Sequence, residues 1–425
     1  MKKVLKKIGI ILALLFIVGA IFYVVNDEPL PTGMKGKKAE TIAAKMKNAL
    51  NYDAFENTEV LEWSFRGKHF YKWNKSENVV EVSWGKNKVH LNTKQPENSE
   101  VYVSDIQTKN QQLIQKATDY FNNDSFWLVA PYKIFDAGVE RKYVKHNNKD
   151  ALLVTYKTGG STPGDSYLWI LNEKGFPTSF KMWVGSIPIG GIEASWSDWK
   201  STEAGVYLPT KHKMSLFGME LNMSDVKASN PKADALANKM LTKLKHEAYK
   251  KTRFIEWSFR GNRFYKWDKQ KHIVEVQWNK TKVILHPNNL EKSTVFIDEK
   301  EIYKNKEIEI KRAESSFNND SFWLVGPHKL FEEGIIRTLT KVEDKDALKV
   351  KYTRGGSTPG DSYIWILDDD YLPIKFLMTV PSMKMNQVPA TWEDWVETES
   401  GTLLPKNHTF SSGGKLSMGD VKAYN

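Results

Sequence analysis

The sequence contains no cysteine among its 425 residues. That absence excludes disulfides, cysteine-ligated zinc, iron–sulfur clusters, cysteine nucleophiles and thioether lipid attachment. No H-E-x-x-H, His-x-His or G-x-S-x-G motif occurs either. The net charge is +11, yet the basic residues form no clustered stripe, so nucleic acid is not an expected partner. These absences favour a protein that is not an enzyme and that uses neither a metal nor a cofactor.

Aromatic residues, in contrast, are abundant, with 15 tryptophans, 17 tyrosines and 20 phenylalanines. Each buried ring removes a large apolar area from water, so the chain can build stable cores without disulfides. The content of 40% hydrophobic and 27% charged residues is typical of a folded globular protein. A chain of 425 residues is too long for one ordinary core, so at least two domains are expected.

The N-terminal 30 residues have the pattern of a membrane anchor. Lys2, Lys3, Lys6 and Lys7 precede an unbroken apolar run, Ile8–Val25. As a helix this run spans about 27 Å, close to the hydrocarbon thickness of a bilayer. Because the basic flank comes first, the N-terminus is expected in the cytoplasm and the bulk of the chain outside it. Residues 1–30 are therefore predicted to be a cytoplasmic start and a transmembrane signal-anchor, and residues 31–38 a linker.

A cleaved signal peptide is the alternative for this segment. Val18-Gly19-Ala20 is an acceptable cleavage site, and cleavage there would release a secreted soluble form. It would also leave the apolar residues Ile21–Val25 at the new N-terminus, which favours the uncleaved anchor. The expected location is a single-pass cytoplasmic (inner) membrane protein with its C-terminal bulk in the periplasm or otherwise outside the cytoplasm.

An internal duplication organises the rest of the chain. Trp63 and Trp257 lie 194 residues apart, Phe121 and Phe317 lie 196 apart, and the order of the repeated segments is collinear. A period this long predicts tandem domains, here residues 39–229 and 230–425. The repeated segments are Glu62–Gly67 with Glu256–Gly261, Phe121–Val129 with Phe317–Val325, Gly159–Tyr167 with Gly355–Tyr363, and Trp196–Trp199 with Trp392–Trp395.

Each copy shows the same order of predicted elements: a helix, four strands, a helical stretch and six or seven further strands. In the second copy Leu236, Met240 and Leu244 fall on one face of the first helix. Short consecutive strands with tight turns indicate an antiparallel meander. We therefore expect an α+β fold with two tandem copies of a curved antiparallel β-sheet half-barrel. The helices are expected on its concave side, and one N-terminal transmembrane helix precedes both copies.

The closing strands of each copy resemble those of a known family. The segment Trp196–Lys211 reads W-S-D-W-K-S-T-E-A-G-V-Y-L-P-T-K, and Trp392–Lys406 has a similar form. The segments Phe176–Lys181 and Leu372–Phe376 are similar to a turn that precedes a late strand in that family. Together with the element order, these motifs resemble the lipoprotein-carrier half-barrel of the LolA, LolB and LppX class. The resemblance covers both copies and implies an extracytoplasmic protein whose concave face shelters acyl chains.

Tryptophan recurs at seven equivalent positions, and only Trp183 is replaced, by Thr379. Aromatic side chains alternate along the strands, which places them on one sheet face. That face is either the wall of a cavity for a hydrophobic ligand or a core filled by the protein's own helices. The candidate ligand-binding residues are Trp63, Phe65, Trp73, Trp84, Trp127, Trp169, Trp196, Trp257, Phe259, Trp267, Trp278, Trp323, Trp365 and Trp392.

Two further recurring motifs each allow a structural and a functional interpretation. The opposite face of the strands carries the polar residues Glu62, Ser64, Arg66 and Glu81. This face is either a solvated surface with ion pairs or a buried polar site. Gly159–Ser166 is predicted to be a hairpin loop with a type II turn, or else a backbone nest for an anion.

The repeated segment around Asn122–Asp124 is expected to end a helix that starts near Lys109, because Asn tolerates the left-handed conformation of a helix stop. Ser125–Val129 would then be a lid or a strip that binds a partner. A hydrolytic enzyme remains a further alternative, for which Asp165 and Asp198 could form a carboxylate pair, with Glu62 as the other candidate; the sequence does not give their separation.

The sequence thus predicts a membrane-anchored, extracytoplasmic, non-enzymatic protein. It would bind a lipid or another hydrophobic ligand in aromatic-lined half-barrel cavities, with a role in lipid or lipoprotein trafficking. The alternative is a structural or protein-interaction module of the cell envelope with self-filled cores. Expected partners are the bilayer through Ile8–Val25, a lipid or acyl chain, and an envelope protein.

Overall fold

The computed structural model describes residues 2–158, 163–353 and 360–425, without the side chains of residues 2–9 and 13. The chain divides into two compact units, Met1–Ser229 and Asn230–Asn425. Both units are α+β with antiparallel sheets, which confirms the predicted fold class at that level. Half of the hairpin loop predicted at Gly159–Ser166, and most of its repeat in the second copy, lies outside the described residues.

The first unit begins with helices and continues as two runs of strands separated by one long helix. Its helices are α1 (Lys2–Asn26), α2 (Lys37–Ala49), α3 (Tyr52–Glu56) and α4 (Gln111–Val129). Its strands are β1 (Val60–Phe65), β2 (His69–Asn74), β3 (Val79–Trp84), β4 (Asn87–Asn92), β5 (Glu100–Val103), β6 (Ile106–Thr108), β7 (Val139–His146), β8 (Lys149–Tyr156), β9 (Ser166–Leu171), β10 (Pro177–Trp183), β11 (Ile192–Ser195), β12 (Lys200–Ser201), β13 (Tyr207–Leu208), β14 (Lys211–Lys213) and β15 (Glu220–Ser229).

These strands form two main sheets where the sequence predicts one curved sheet. One sheet has the order β14-β15-β1-β2-β3-β4-β5-β6, and the other has the order β11-β10-β9-β8-β7. Isolated bridges from Ala194 to Met214 and from Ser197 to Lys211 join β11 to β14. Pairing stays this limited because the chain leaves the sheet between β11 and β14 to form the β12–β13 hairpin. None of the described sheets closes on itself.

The second unit repeats this plan. Its helices are α5 (Pro231–Lys243), α6 (His246–Lys251) and α7 (Lys306–Val325). Its strands are β16 (Phe254–Phe259), β17 (Arg263–Asp268), β18 (Ile273–Trp278), β19 (Thr281–Leu285), β20 (Thr294–Ile297), β21 (Lys300–Ile302), β22 (Ile335–Val342), β23 (Lys345–Tyr352), β24 (Ser362–Leu367), β25 (Pro373–Val380), β26 (Met385–Thr391), β27 (Val396–Glu397), β28 (Leu403–Leu404), β29 (Asn407–Thr409), β30 (Lys415–Ser417) and β31 (Lys422–Tyr424). The main sheets have the orders β21-β20-β19-β18-β17-β16-β31 and β22-β23-β24-β25-β26.

Helix α4 is longer than the sequence predicts. Asn110 caps its start, where the side-chain oxygen accepts the backbone N–H of Leu113 at 3.1 Å. The helix does not stop at Asn122–Asp124 but continues to Val129, and α7 does the same in the second unit. Phe121, Asp124, Ser125 and Leu128 are all buried on one face. Their spacing of i, i+3, i+4 and i+7 is that of one helix face, so tertiary burial outweighs the local stop signal of the asparagines.

Helix α1 includes the predicted membrane span, Ile8–Val25. Over the residues that the structure describes, no helix is both long enough and apolar enough to cross a membrane, so the span is not supported. The last turn of α1 is closed by Asn26, whose side chain donates to the carbonyl of Phe22 at 2.7 Å.

A segment that we call the N-terminal strap, Asp27–Lys35, connects α1 to the five-stranded sheet of the first unit. Near its start, the carbonyl of Glu28 accepts the indole N–H of Trp183 at 2.7 Å. Near its end, Met34 pairs with Tyr143 of β7 through backbone hydrogen bonds of 2.9 and 2.7 Å. The strap therefore adds a short strand segment to the outer edge of β7.

The strap lies against an apolar cluster that the second unit does not repeat. Val144, Leu153 and Leu168 are buried members of this cluster, and Trp183 packs against it. Gly33 lies so close to Val144 that a Cβ at Gly33 would meet Cγ2 of Val144 at 3.0 Å. The position equivalent to Leu153 in the second unit is Lys349, which is exposed, and the position equivalent to Trp183 is Thr379. The one unmatched tryptophan of the duplication thus holds the strap.

Candidate functional site

The predicted ligand-binding aromatic residues lie inside the cores of the two units. In the first unit Trp63 and Phe65 lie on β1, Trp73 on β2 and Trp84 on β3, whereas Trp127 lies on α4. The buried members of the predicted set are Trp63, Phe65, Trp84, Trp169, Trp196, Trp257, Phe259, Trp278, Trp365 and Trp392. The partly buried members are Trp73, Trp127, Trp267 and Trp323.

Helix α4 contacts the aromatic residues of both sheets. Trp63 stacks on Tyr71 with ring centroids 4.5 Å apart, and Phe121 from α4 contacts both rings. One turn and a half further along α4, Trp127 packs on Phe180 of β10 at 5.6 Å. In the second unit α7 makes the same contacts, through Phe317 with Trp257 and through Trp323 with Phe376. One helix in each unit therefore determines whether these aromatic faces are covered.

Several polar atoms within these clusters have no hydrogen-bond partner in the part of the chain that the structure describes. In the first unit they are the indole nitrogens of Trp63, Trp169 and Trp196 and the Nε2 atom of His212. In the second unit they are the indole nitrogens of Trp257, Trp365 and Trp392 and the Nε2 atom of His408. An unpaired buried polar group costs about 1–3 kcal/mol, and most buried polar groups in folded proteins are paired. Because the same atoms are unpaired in both copies, this pattern belongs to the repeated fold.

His212 lies in the middle of the second aromatic cluster of the first unit. Its ring packs edge-on against Trp196 at 4.5 Å and lies tilted against Trp127 at 5.2 Å. Nδ1 lies 2.9 Å from the carbonyl of Ser195, so the neutral ring carries its proton on Nδ1 and presents a lone pair at Nε2. Burial lowers the pKa of His212 to about 4, which keeps the ring neutral at physiological pH. His408 repeats this arrangement, and burial lowers its pKa to about 4 as well.

A buried carboxylate ties α4 to β2. Asp124 is 2% exposed and accepts the hydroxyl of Tyr71 at 2.5 Å. His69 Nδ1 lies 2.7 Å from the same oxygen, and the amide of Asn123 donates to the other oxygen at 2.8 Å. Burial and the nearby charge of Asp124 raise the pKa of Tyr71, so its hydroxyl stays a donor. We call this cluster the helix latch.

The second unit has the same latch with a permanent cation. Asp320 is fully buried and accepts two hydrogen bonds from Arg263, from Nε at 2.6 Å and from Nη2 at 3.0 Å. The hydroxyl of Tyr265 donates to Asp320 at 2.6 Å. The hydrogen bond to Asp320 raises the pKa of Arg263 above its ordinary value. The two units therefore differ at one latch position, with histidine at 69 and arginine at 263.

Neither this latch nor a pair of partly buried lysines, Lys75 and Lys269, is among the predicted site residues. Lys75 donates to the carbonyl of Phe55 and lies 3.8 Å above its ring, and Lys269 repeats these contacts with Tyr249 at 3.5 Å. Burial lowers the pKa of each lysine to about 8. Their recurrence at a fixed offset was the available signal, since each follows the repeated tryptophan of β2 or β17 by two residues.

The polar strand face predicted around Glu62 is realised as a set of side-chain pairs. Ser64 is buried and donates to Asp225 at 3.4 Å. In the second unit Glu256 accepts the hydroxyl of Tyr424 at 2.5 Å and the ammonium of Lys266 at 3.0 Å.

A groove of about 340 Å³ runs along this face of the second unit. Another groove, of about 480 Å³, lies beside α5 and is lined by lysines, aspartates and leucines. Of the predicted ligand-binding residues, only Trp257 lines either of these two grooves.

The carboxylates considered as a catalytic pair have separate surroundings. Asp165 is buried at the start of β9 and accepts the backbone N–H of Gly185 at 2.9 Å. Asp198 is exposed, and Glu62 lies on β1 in the other sheet. Among the described residues, no cluster of three or more His, Asp or Glu side chains is arranged to hold a metal ion.

Comparisons with known proteins give weak structural similarities. No family model matches the chain, and no curated protein matches it. The chain is similar to the crystal structure of a DUF1329 family protein from Desulfovibrio piger, with a TM-score of 0.26 and 9% identity over 46% of this chain and 94% of the other. It is also similar to a candidate outer membrane lipoprotein-sorting protein domain from Vibrio parahaemolyticus, with a TM-score of 0.22 and 10% identity over 43% and 93%. At these TM-scores the likeness carries no argument about function.

Proposed function

We propose that this is a non-enzymatic protein outside the cytoplasm, whose two units each bind one apolar ligand such as an acyl chain. The observation that carries the proposal is the repeated set of unpaired polar atoms within the aromatic clusters. In the first unit, the indole N–H groups of Trp169 and Trp196 can donate. A lipid supplies acceptors for these donors, because its ester oxygens accept hydrogen bonds, and its acyl chain packs on aromatic faces.

Ligand entry would require α4 to move away from the sheets. Phe121 and Trp127 on α4 cover the aromatic residues of both sheets, and the helix latch at Asp124 holds α4 to β2. Opening must therefore break the hydrogen bonds that Asp124 accepts from Tyr71 and shares with His69. We propose a role in lipid or lipoprotein trafficking on this basis, with a relationship to the LolA class of carriers.

The proposed location rests on the N-terminal segment. We propose that the Lys-rich start and the apolar run Ile8–Val25 direct export and attach α1 to the bilayer. A reporter enzyme that is active only outside the cytoplasm, fused after Asn425, is expected to be active. An inactive fusion, together with a cytoplasmic reporter that is active at the same site, would contradict this location.

The ligand proposal is tested on the purified full-length chain by native mass spectrometry and lipid extraction. We expect up to one apolar molecule per unit, and Trp196→Phe and Trp392→Phe should each reduce the occupancy of one unit because they remove an unpaired donor. Trp199→Phe is the matched control, since the indole of Trp199 already donates to the carbonyl of Trp196 at 3.2 Å. Absence of any co-purifying apolar molecule, with no binding of a hydrophobic dye, contradicts the proposal.

A second candidate is a structural or protein-interaction module of the cell envelope with self-filled cores. It is favoured by the burial of Trp63, Trp169 and Trp196, each at most 2% exposed, against side chains of the same unit. The same experiment separates the two candidates, because a self-filled core leaves the chain without ligand and without dye binding. In that case cross-linking in cells should capture a protein partner.

A further inference from the structure

The turn between β14 and β15, Met214–Met219, carries large apolar side chains into solvent. Phe217 is 84% exposed and Met219 is 47% exposed. Phe217 also adopts φ of 58°, in the left-handed region where a bulky side chain is unfavourable and Asn or Gly is preferred. A phenylalanine at such a position gains little from the β-sheets of the unit, which indicates that its side chain serves a contact beyond them.

This turn lies directly beside the apolar helix α1. The ring of Phe217 stacks on Phe22 of α1, with centroids 5.6 Å apart and an angle of 14° between the rings. Phe16, Val24 and Val25 of α1 are each more than 70% exposed, at 78%, 75% and 74%. The exposed apolar surface of the turn is therefore continuous with that of α1.

The N-terminal strap holds this arrangement in place. The backbone carbonyl of Glu28 accepts the indole N–H of Trp183, and the carboxylate of Glu28 forms an ion pair with Lys181 at 2.6 Å. The backbone N–H of Gly190 donates to the carboxylate of Asp27 at 2.8 Å. These contacts begin at the residue that follows α1, so they tie the C-terminal end of α1 to β10. This attachment keeps Phe22, near the end of α1, close to Phe217.

The second unit has neither feature at the equivalent positions. Its turn, Phe410–Gly414, reads F-S-S-G-G and is one residue shorter. Phe410 packs on Trp323 at 5.3 Å inside the unit, and Ser412 is exposed. Apolar residues at the tip of the turn therefore occur only in the copy that carries α1.

We propose that the turn Met214–Met219 is a second lipid-contacting element, which rests on the surface of the bilayer beside α1. The occupant of this apolar patch is a lipid surface, because the patch is continuous with a helix that has apolar residues on every side and a run of lysines at its start. The inference rests on the proposed attachment of α1 to the bilayer and is independent of the proposed ligand in the cores. It assigns a membrane contact to the first unit, at the turn that lies beside α1.

Because the chain has no cysteine, single-cysteine labelling of the full-length protein tests this directly. An environment-sensitive fluorophore is attached at Met219→Cys, at Gly19→Cys in α1, or at Ser412→Cys in the second unit. A side chain at residue 19 meets nothing within 4 Å, so labelling there leaves the packing intact. Each protein is reconstituted in phosphatidylcholine–phosphatidylglycerol vesicles that contain lipids with a quencher on the acyl chain.

We expect blue-shifted emission and quenching at residues 19 and 219, and neither at residue 412. Adding Phe217→Asn to the Met219→Cys protein should abolish most of the quenching at 219 and leave that at 19 unchanged. Asparagine tolerates the left-handed conformation, so this variant keeps the turn.

Two results overturn the inference in distinguishable ways. Quenching at residue 19 without quenching at 219 shows that α1 enters the bilayer and that the turn does not touch it. Absence of quenching at both residues refutes the attachment of α1 and the contact of the turn together.

Discussion

His212 and His408 are buried imidazoles that remain neutral until the pH falls well below the ordinary range for histidine. Burial lowers both pKa values to about 4, against about 6.5 in an unfolded chain. The unfolded chain therefore binds protons that the folded chain does not bind between about pH 6.5 and 4. Stability is unaffected by these groups above pH 6.5 and falls as the pH decreases through that window.

We expect the free energy of unfolding in urea to decrease between pH 7 and pH 5, and the double variant His212→Gln, His408→Gln to show a smaller decrease. Each shift corresponds to on the order of 3 kcal/mol when integrated down to pH 4. His272→Gln is the control, because His272 is exposed. An equal decrease in the double variant and the wild type would refute this assignment.

At the residue scale, the sequence predicted the positions of the aromatic residues but not their partners. Alternation along β1 placed Trp63 and Phe65 on one face, and both are buried there. The burial of Asp124 was not predicted, because a charged residue after two asparagines has the local signature of a turn. Its partners, Tyr71 and His69, come from a strand more than 50 residues earlier, so no local pattern reveals them.

At the element scale, the N-terminal strap is the clearest difference between the two copies. Trp183 donates to Glu28, and the strap continues to the pairing of Met34 with Tyr143. The second unit has Thr379 at the position of Trp183, so threonine is the natural replacement with which to test the role of Trp183.

Trp183→Thr should release the strap and lower the stability of the first unit by about 1–3 kcal/mol, through loss of one hydrogen bond and of ring packing. Hydrogen exchange at the amide of Met34 should become faster, and proteolysis within Asp27–Lys35 should increase. Thr379→Trp is the matched control and should change neither. Unchanged protection at Met34 in Trp183→Thr would show that the strap does not depend on this contact.

At the scale of the whole molecule, the duplication produces two units with the same order of helices and sheets. Among the residues that the structure describes, the buried core of the first unit draws on residues between Ala39 and Ala228, and the cores of the second draw on residues between Ala233 and Ala423. The helix latches also differ, because Arg263 donates two hydrogen bonds to Asp320 whereas His69 contacts Asp124 through one ring nitrogen.

Asp320→Asn should therefore destabilise its unit more than Asp124→Asn destabilises the other. Asp320 accepts two hydrogen bonds from Arg263, whereas Asp124 contacts His69 through one ring nitrogen, and each hydrogen bond to a charged group contributes about 1.5–3 kcal/mol. Hydrogen exchange should accelerate in α7 for the first variant and in α4 for the second. Asp119→Asn on the exposed side of α4 is the control. Equal effects, or acceleration in the unmutated unit, would contradict this ranking.

The sequence by itself determined the duplication, the α+β class and the sheet face on which Trp63 and Phe65 lie. These follow from repetition and from the period of two along a strand, which are local properties of the chain. Only the tertiary structure decided that α4 continues through Asn122–Asp124 and that Trp183 holds the strap. Both outcomes depend on contacts between segments far apart in sequence, where burial of apolar surface and pairing of buried polar groups outweigh local preference.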